Sequence, residues 1–228
     1  MKLRDWSEIP ADLKNRHVKE YYDMLSHNRS YLIHKRICDI VLSLILIVIL
    51  SPLLILLAII IKLDSRGPVF YRQERITQYG RKFRIFKFRS MVMNADKIGS
   101  HVTVKDDVRI TKVGKTIRRL RLDELPQLFN ILSGEMTFVG TRPEATKYVN
   151  YYTDEMKATL LLPAGVTSLA SIEFKDEAKI LDGASEPDKV YVRNVLPEKM
   201  KYNLEALKQC SIRQDAKLIF KTALAVIR

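Results

Sequence analysis

The segment RRLRLDELPQLFNILSGEMTFVGTRPE, residues 118–144, contains the pattern around which the rest of the chain is organised. Its apolar residues recur at the spacing of one helix face, at Leu125, Leu128, Phe129 and Leu132. A short helix is therefore predicted, with Asp123 and Glu124 in its first turn, followed by a strand-like run and a turn that carries Arg142. Free N–H groups and the positive dipole end at a helix N-terminus keep a carboxylate ionised and attract phosphate. An isolated Asp–Glu pair is more often an ordinary N-cap, but the surrounding arginines favour a site that handles phosphate.

Upstream of this segment, basic and apolar residues nearly alternate from Arg81 to Arg89, which predicts a strand with one cationic side. A turn at Gly67–Pro68 and a strand at 69–71 precede it, so we expect a small β-ribbon. Lys87 and Arg89 lie on one face of this ribbon and are candidates for phosphate binding. Such a strand is also typical of a solvated sheet edge or of a surface that binds nucleic acid.

Further upstream, residues 40–61 carry no charged side chain and are long enough, at about 1.5 Å per residue, to cross a bilayer core of roughly 30 Å. Ser51–Pro52 lies in the middle of this run, and proline kinks or breaks a helix. Basic residues flank both ends of the run, at Lys35, Arg36, Lys62 and Arg66. The positive-inside rule then puts both ends in the cytoplasm, as in a re-entrant helix-break-helix. A kinked single-pass helix is the alternative, and the residues alone leave both open.

Asp39 follows Arg36 by three residues, so the two can pair at the membrane surface together with Lys35. Ahead of them, residues 1–34 form an amphipathic segment with a helix predicted from Val18, Tyr21, Tyr22 and Leu25. We divide the chain into this segment, a membrane segment at 35–66 and a cytoplasmic domain at 67–228. The fold class is α+β and mainly helical, with a small β-ribbon and amphipathic interfacial helices.

Composition limits the partners and the chemistry. Lys and Arg number 39 against 26 Asp and Glu, a net charge of +13, so an anionic lipid, a phosphorylated substrate or nucleic acid is expected. Cys38 and Cys210 provide neither a disulfide framework nor a zinc site, and the four histidines lack the spacing of a metal cluster. No GxGxxG or P-loop spacing occurs, so nucleotide binding through those motifs is not supported.

The remaining segments are predicted as connecting structure and helices. Residues 94–113 read as a polar surface loop in which Asp106–Asp107 serves as turn chemistry rather than as a metal site. Helices are expected at 148–162, 195–208 and 215–228. The last is amphipathic enough to lie at a membrane interface, and equally to pack on the domain.

Taken together, these segments resemble the bacterial sugar transferase family of monotopic phosphoglycosyl transferases, which start glycan assembly on polyprenyl phosphate. The resemblance runs from about Lys35 to Val226. Four pieces carry it: KRICD at 35–39 with Ser51–Pro52, GPVF at 67–70 with Gln73 and Arg75, KFRSM at 87–91, and LDELPQL at 122–128 followed by VGTRP at 139–143.

The resemblance implies a re-entrant helix in the cytoplasmic leaflet of the bacterial inner membrane and a two-step reaction. Asp123 would attack the β-phosphate of a UDP-sugar, release UMP and carry a phosphosugar that undecaprenyl phosphate then accepts. Glu124 would hold Mg²⁺ against the diphosphate, because Mg²⁺ prefers one or two carboxylates plus substrate phosphates. Arg142 is the best bidentate phosphate ligand, with Lys87 and Arg89 next. The product would enter a surface polysaccharide or glycoconjugate pathway, without nucleic acid as partner.

Departures from the family pattern limit these expectations. Thr141 stands where the family usually has proline, and PAGVTS at 163–168 replaces its common RPGITG, so the sugar is not named. The extra multi-span domain of larger members is absent from the sequence, which suggests a minimal form. Two non-catalytic readings compete: a membrane-anchored polyanion-binding protein and a single-pass scaffold. The oligomeric state, a homodimer included, is open.

Overall fold

The computed structural model describes residues 1–95, 107–174 and 186–227. Its helices are α1 Arg16–His27, α2 Arg29–Asp64, α3 Lys112–Arg119, α4 Gln127–Ser133, α5 Thr146–Val149, α6 Leu169–Glu173, α7 Pro187–Val190, α8 Leu196–Lys208 and α9 Ile212–Ile227, with a π-helical turn at Tyr191–Val195 between α7 and α8. Its strands are β1 Phe70–Ile76, β2 Lys82–Phe88, β3 Met136–Val139 and β4 Ala164–Thr167. The mainly helical α+β class expected from the sequence is confirmed.

Helix α2 is long and apolar enough, by length and composition, to cross a membrane. The expected break at Ser51–Pro52 is not confirmed, because α2 is one helix that continues through Pro52, and the break remains a prediction. Proline cannot donate to the carbonyl four residues earlier, that of Val48, and the Ser51 hydroxyl donates to this carbonyl at 2.8 Å instead. The side chain thus satisfies the group that proline would leave unpaired.

One face of α2 packs along the domain. Leu46, Ile47 and Leu50 contact a cluster that contains Phe83, Ile85, Leu128, Ile131 and Met136, and Leu53, Leu54, Leu57, Ala58 and Ile61 join a second cluster with Phe88 and Ile117. These positions repeat at three and four residues, as one helix face requires. On the opposite face, Val48, Ile49 and Ile55 are more than half exposed. Only one side of the apolar helix is therefore covered by protein.

The charged residues at the start of α2 fasten it to the domain. The Lys35 ammonium pairs with Asp215 of α9 at 2.6 Å, and the Arg36 guanidinium donates to the carbonyls of Ile131 and Leu132 at 2.6 and 2.9 Å. Asp39 accepts hydrogen bonds from β3, from the Thr137 hydroxyl at 2.7 Å and the Phe138 N–H at 3.1 Å. The expected pairing of Asp39 with Arg36 is therefore wrong. Each residue has a partner in the domain instead, and Lys35 and Asp39 are buried rather than displayed at a surface.

Two small sheets frame the centre of the domain. Strands β1 and β2 pair in antiparallel register, which confirms the predicted ribbon. Strands β3 and β4 pair in parallel. The two residues that follow β3 also bond to β4, through Gly140 N–H to the Thr167 carbonyl at 2.9 Å and Gly165 N–H to the Thr141 carbonyl at 2.8 Å. A Cβ on Gly165 would lie 2.2 Å from the Gly140 nitrogen, so this close approach requires glycine.

The largest apolar cluster joins the two ends of the chain. Helix α1 buries all four residues that predicted it, and they pack with later residues that include Tyr148, Leu161, Leu196, Met200 and Leu204. The prediction of helices near 195–208 and 215–228 is confirmed by α8 and α9. A single helix at 148–162 is wrong, because α5 is followed by the separate 3₁₀ segment Met156–Leu161.

The predicted loop at 94–113 lies partly outside the described residues, together with Asp106. The last two residues of this predicted loop are helical instead, because α3 begins at Lys112. Asp107 begins a turn, in which its side chain accepts from the Arg109 N–H at 3.0 Å and its carbonyl accepts from the Ile110 N–H at 3.1 Å, so its predicted turn role is confirmed. Its carboxylate is buried and pairs with the Arg109 guanidinium at 2.6 Å, so it is not solvated.

Candidate active site

The turn that carries Asp123 and Glu124 is held in an unusual backbone conformation. Leu122–Glu124 form one 3₁₀ turn, and α4 begins three residues later. Arg121, immediately before the turn, has φ of 56°, in the left-handed region that non-glycine residues rarely occupy. Such local strain is common at functional sites. The carboxylates thus lie close to the predicted first turn, in a 3₁₀ segment that precedes the helix.

Asn130 connects this helix to the ribbon. Its buried amide accepts from the Phe86 N–H at 2.8 Å and donates to the Arg84 carbonyl at 3.1 Å, so it pairs with the outer edge of β2 as a neighbouring strand would. Because β2 is fixed against α4 in this way, Lys87 reaches the turn. The Lys87 ammonium lies 3.1 Å from a Glu124 carboxylate oxygen.

Glu124 is the centre of a cluster of charges. Its carboxylate accepts hydrogen bonds from the Lys87 ammonium and from both terminal nitrogens of Arg142, one of them at 3.4 Å. Burial alone would raise the pKa of Glu124, but the Arg142 and Lys87 charges outweigh it and hold that pKa well below its usual range. Glu124 is therefore ionised at neutral pH. We call Lys87, Glu124 and Arg142 the Glu124 cluster.

Asp123 has the opposite electrostatic behaviour. It is 8% exposed, and burial raises the pKa of its carboxyl, with Lys87 opposing and Glu124 reinforcing that shift. The Arg118 and Arg121 charges also oppose it. The surroundings thus shift the pKa values of these two adjacent carboxyl groups in opposite directions. Such separation is a mark of groups with different chemical roles.

The loop that carries Arg142 is held from both sides. The glycine pairing beyond β3 and β4 precedes it, and Glu144 follows it in a buried network. The Tyr191 hydroxyl donates to Glu144 at 2.6 Å, and the Lys199 ammonium lies 3.4 Å from the same oxygen and 3.0 Å from the Tyr191 hydroxyl. We call Glu144, Tyr191 and Lys199 the Glu144 cluster. Sequence reasoning missed it, although an acid two residues after Arg142 was a visible signal.

Arg89 does not join the Glu124 cluster. Its two terminal nitrogens donate to the carbonyls of Ile61, Ser65 and Arg66, at distances from 2.6 to 3.2 Å. These carbonyls lie at the C-terminal end of α2, where helices leave carbonyls without partners. The guanidinium therefore acts here as a helix cap, and a role for Arg89 in phosphate binding remains a prediction.

Gln127 is a further residue that the sequence analysis did not single out. It lies one helical turn after Asp123, is 1% exposed, and its amide nitrogen and oxygen have no hydrogen-bond partner among the described residues. A buried amide without partners costs roughly 1–3 kcal/mol. Together with Asp123, it leaves polar groups available at the turn.

Comparison with known proteins supports the resemblance. A family model described as bacterial sugar transferase matches residues 30–228. The chain is 34% identical over 200 residues to a UDP-N-acetylgalactosamine-undecaprenyl-phosphate N-acetylgalactosaminephosphotransferase of Aeromonas hydrophila, which covers 86% of this chain and 44% of that protein. It is 35% identical over 197 residues to a UDP-glucose:undecaprenyl-phosphate glucose-1-phosphate transferase of Klebsiella pneumoniae, covering 84% and 39%. An undecaprenyl-phosphate galactose phosphotransferase of Salmonella typhimurium is 34% identical over 209 residues, covering 85% and 40%. The chain thus spans less than half the length of these relatives, whose names specify different sugars.

Proposed function

Since the chain belongs to the bacterial sugar transferase family, we propose that it transfers a sugar 1-phosphate from a UDP-sugar to undecaprenyl phosphate and releases UMP. The observation that carries this proposal is the geometry of the turn, in which the buried Asp123 carboxyl stands next to Glu124, and Glu124 lies between Lys87 and Arg142. Burial raises the pKa of Asp123, whereas the Glu124 carboxylate is held ionised between Lys87 and Arg142. A more basic carboxylate is a better nucleophile, and the two cations next to it can neutralise a diphosphate.

In the proposed first step, a carboxylate oxygen of Asp123 bonds to the β-phosphorus of the donor. The bond from that phosphorus to the bridging oxygen breaks, and UMP leaves with the bonding electrons. A phosphate oxygen of undecaprenyl phosphate then attacks the same phosphorus, which returns Asp123 to its free form. Lys87 and Arg142 would bind the phosphoryl oxygens in both steps, because charge-assisted hydrogen bonds to phosphate are strong and Arg binds in a bidentate manner.

Magnesium is part of the proposal. Glu124 would hold the ion together with phosphate oxygens of the donor, since Mg²⁺ takes few carboxylates when substrate phosphates are present. The described residues contain no group of three or more potential ligands, which suits a site completed by substrate. Arg142 already bonds both Glu124 oxygens, so the ion fits if Arg142 moves onto the donor phosphate. When bound, it would supply further charge neutralisation.

We also propose that both ends of α2 lie on the cytoplasmic face. Contacts with the domain extend from Lys35 to Ile61. If α2 crossed the bilayer, the polar groups packed along it would enter hydrocarbon, where unsatisfied groups cost several kcal/mol each. The exposed face with Val48, Ile49 and Ile55 would instead enter one leaflet. Placed there, Asp123 meets a lipid-linked phosphate at the interface, as the first membrane step of a surface glycan pathway requires.

The topology is tested by thiol labelling in intact cells. In a Cys38→Ser/Cys210→Ser background, Ser30→Cys and Arg66→Cys place single thiols at the two ends of α2. We expect an impermeant maleimide to label neither until the membrane is permeabilised. Labelling of one end alone would support the single-pass scaffold.

The reaction is tested by UMP release from a panel of UDP-sugars with purified protein, Mg²⁺ and undecaprenyl phosphate. Wild type should release UMP with at least one donor, and Asp123→Asn should lose about 10³-fold or more in rate because the nucleophile is absent. Asp23→Asn, a surface change far from the turn in sequence, is the matched control and should keep full activity. Equal release by wild type and Asp123→Asn would reject the nucleophile, and no release from any donor would favour the polyanion-binding alternative.

A further inference from the structure

The first turn of α9 is fastened to the start of α2. The Asp215 carboxylate accepts from the Tyr31 hydroxyl at 2.9 Å and pairs with the Lys35 ammonium at 2.6 Å. Just before α9, the Cys210 carbonyl accepts from the Asn28 amide at 3.1 Å. Helix α9 therefore starts against the side of α2 that carries Tyr31 and Lys35.

This side of α2 borders the apolar face that the protein leaves uncovered. Around a helix with 3.6 residues per turn, Tyr31 and Ile45 are separated by only about 40°. Ile45 continues the uncovered face together with Val41 and Val48, and the three are 48%, 50% and 71% exposed. Helix α9 thus lies at the edge of the face of α2 that would enter the leaflet.

One side of α9 is held by the domain. The Thr222 and Thr167 hydroxyls lie 2.6 Å apart, and the Thr167 carbonyl accepts from the Gly140 N–H at 2.9 Å. The partly buried residues of the helix recur at intervals of three and four, as one helix face requires: Asp215, Leu218, Ile219, Thr222 and Ala225. Contacts with α2 and with β4 therefore fix which side of α9 faces outward.

The outward side of α9 has an apolar strip next to a basic strip. The apolar strip consists of exposed residues: Ile212, Ala216, Phe220, Ala223 and Leu224. Phe220 is 65% exposed and Leu224 is 44% exposed. The basic strip is formed by Arg213, Lys217 and Lys221, and none of these makes an ion pair within residues 1–95, 107–174 and 186–227. Basic residues beside exposed Phe and Leu are typical of a helix that lies in the plane of a membrane interface.

We propose that α9 lies on the leaflet that α2 enters, with Phe220 and Leu224 among the lipid chains and Lys217 and Lys221 against the phosphates of acidic phospholipids. The inference rests on the placement of α2 under the proposed function. A bilayer can cover both apolar surfaces at once, because the two helices are joined at their starts. A second copy of the chain is a poorer occupant, because each copy carries a net charge of +13, whereas an acidic leaflet is complementary to the basic strip.

The test measures the depth of α9 by fluorescence quenching in nanodiscs of phosphatidylcholine and phosphatidylglycerol with brominated lipid chains. In the Cys38→Ser/Cys210→Ser background, Ala223→Cys places a labelled thiol in the apolar strip. Ile45→Cys labels the uncovered face of α2, and Lys201→Cys labels an α8 position whose side chain is 71% exposed. Brominated chains should quench the labels at 223 and 45 and leave the label at 201 unchanged.

The apolar strip is then removed while the label at 223 stays in place. Phe220→Ser/Leu224→Ser should reduce quenching at 223 by about fivefold or more, because interfacial binding scales with buried apolar area. The label at 45 should still be quenched in this variant. Tyr151→Ser is the matched control, because Tyr151 is 62% exposed and lies outside α9, and it should leave quenching at 223 unchanged.

The basic strip is tested by lipid composition. Quenching at 223 should fall in nanodiscs of phosphatidylcholine alone, because the acidic headgroups that attract Lys217 and Lys221 are absent. Lys217→Gln/Lys221→Gln should remove the difference between the two lipid compositions. Lys201→Gln, at an exposed lysine outside α9, should keep that difference.

The outcomes separate this inference from the proposed function. If wild type turns over UDP-sugars and its label at 45 is quenched but its label at 223 is not, α9 lies off the membrane and the function stands. If the label at 223 is quenched but no UDP-sugar is turned over, the surface is confirmed and the proposed reaction is wrong. An unquenched label at 223, together with a dimer that Phe220→Ser/Leu224→Ser converts to a monomer, would assign the strip to contacts between copies. Thermal unfolding of each variant confirms that reduced quenching is not lost folding.

Discussion

The Glu124 cluster and the Glu144 cluster are built from similar parts but differ in exposure. In each, a glutamate with little exposure pairs with a lysine from a distant part of the chain. In the first, the Lys87 and Arg142 side chains are 21% and 31% exposed, whereas in the second the Lys199 side chain is 7% exposed. Glu124 has two cations, and Glu144 has one cation and a neutral hydroxyl. In the more exposed Glu124 cluster, Lys87 and Arg142 can leave Glu124 and bind an incoming anion. The buried Glu144 cluster holds the Arg142 loop in place.

Between the two clusters, the largest expected effect is on activity, from Glu124→Gln. This change removes the charge between Lys87 and Arg142 and also lowers the pKa of Asp123, since the Glu124 charge raises it. We expect UMP release to fall by about 10²-fold or more, because charge stabilisation and nucleophile basicity are both reduced. The measurement is kcat/KM with the best donor, normalised to the folded fraction.

Glu144→Gln provides the contrast for that experiment. Its activity per folded molecule should fall far less than that of Glu124→Gln, because Glu144 acts on Arg142 through its charge and through the loop, without the direct ion pair that Glu124 makes. Equal losses in the two variants would mean that the clusters are not functionally distinct.

The second prediction concerns stability, where the order is reversed. Glu144→Gln breaks the buried ion pair between Glu144 and the Lys199 ammonium, and breaking a buried pair by removing one partner typically destabilises by about 3 kcal/mol or more. The apparent Tm in detergent should fall clearly. A Glu144→Leu/Lys199→Met double variant removes both charges and should recover part of the loss. If the single and double variants melt at the same temperature, loss of the attraction between Glu144 and Lys199, rather than the buried charge that remains on Lys199, would explain the change.

The sequence predicts local structure well where one side chain pattern decides it. The apolar spacing from Leu125 to Leu132 predicts α4, and the alternation from Arg81 to Arg89 predicts β2. Lys87, Glu124 and Arg142 were each candidates from sequence, and the fold brings these three together. Motifs are informative here because lysine and arginine are suited to bind phosphate and glutamate is suited to hold a cation next to it.

Long-range partners could not be predicted in the same way. Glu144 meets Tyr191 and Lys199 across 47 and 55 residues, and no periodicity connects them. The parallel pairing of β3 and β4 was missed because each strand has four residues, too few for a pattern. Arg89 has the residue type of a phosphate ligand, yet its guanidinium caps α2, because nearby carbonyls there lack partners. The residue type determines which groups a side chain can bind, but the tertiary fold determines which of them it contacts.

The third prediction is a shift in pH dependence. The Lys87 charge lowers the pKa of Asp123, so Lys87→Met should raise that pKa. The reaction needs ionised Asp123, and activity is lost as the pH falls through its pKa. The acid limb of the pH profile of kcat/KM should therefore move to higher pH in Lys87→Met, even if the maximal kcat/KM also changes. Lys82→Met is the control on the same strand, since Lys82 pairs with the exposed Glu74. A limb that stays in place or moves to lower pH would show that Lys87 does not act on Asp123.

The smallest expected effect comes from an ion pair without burial. Lys19 and Asp23 lie 2.5 Å apart on α1, but their side chains are 42% and 48% exposed. Solvated pairs of this kind contribute about 0.5 kcal/mol or less, so Asp23→Asn should change the apparent Tm by about 2 °C at most. This pair is shorter than the Lys87–Glu124 and Lys199–Glu144 pairs, at 3.1 and 3.4 Å, so a small effect here would come from exposure and not from a longer distance. If Asp23→Asn lowered the Tm as much as Glu144→Gln, geometry alone would determine the strength of these pairs. The difference in role between the Glu124 cluster and the Glu144 cluster would then need an explanation other than exposure.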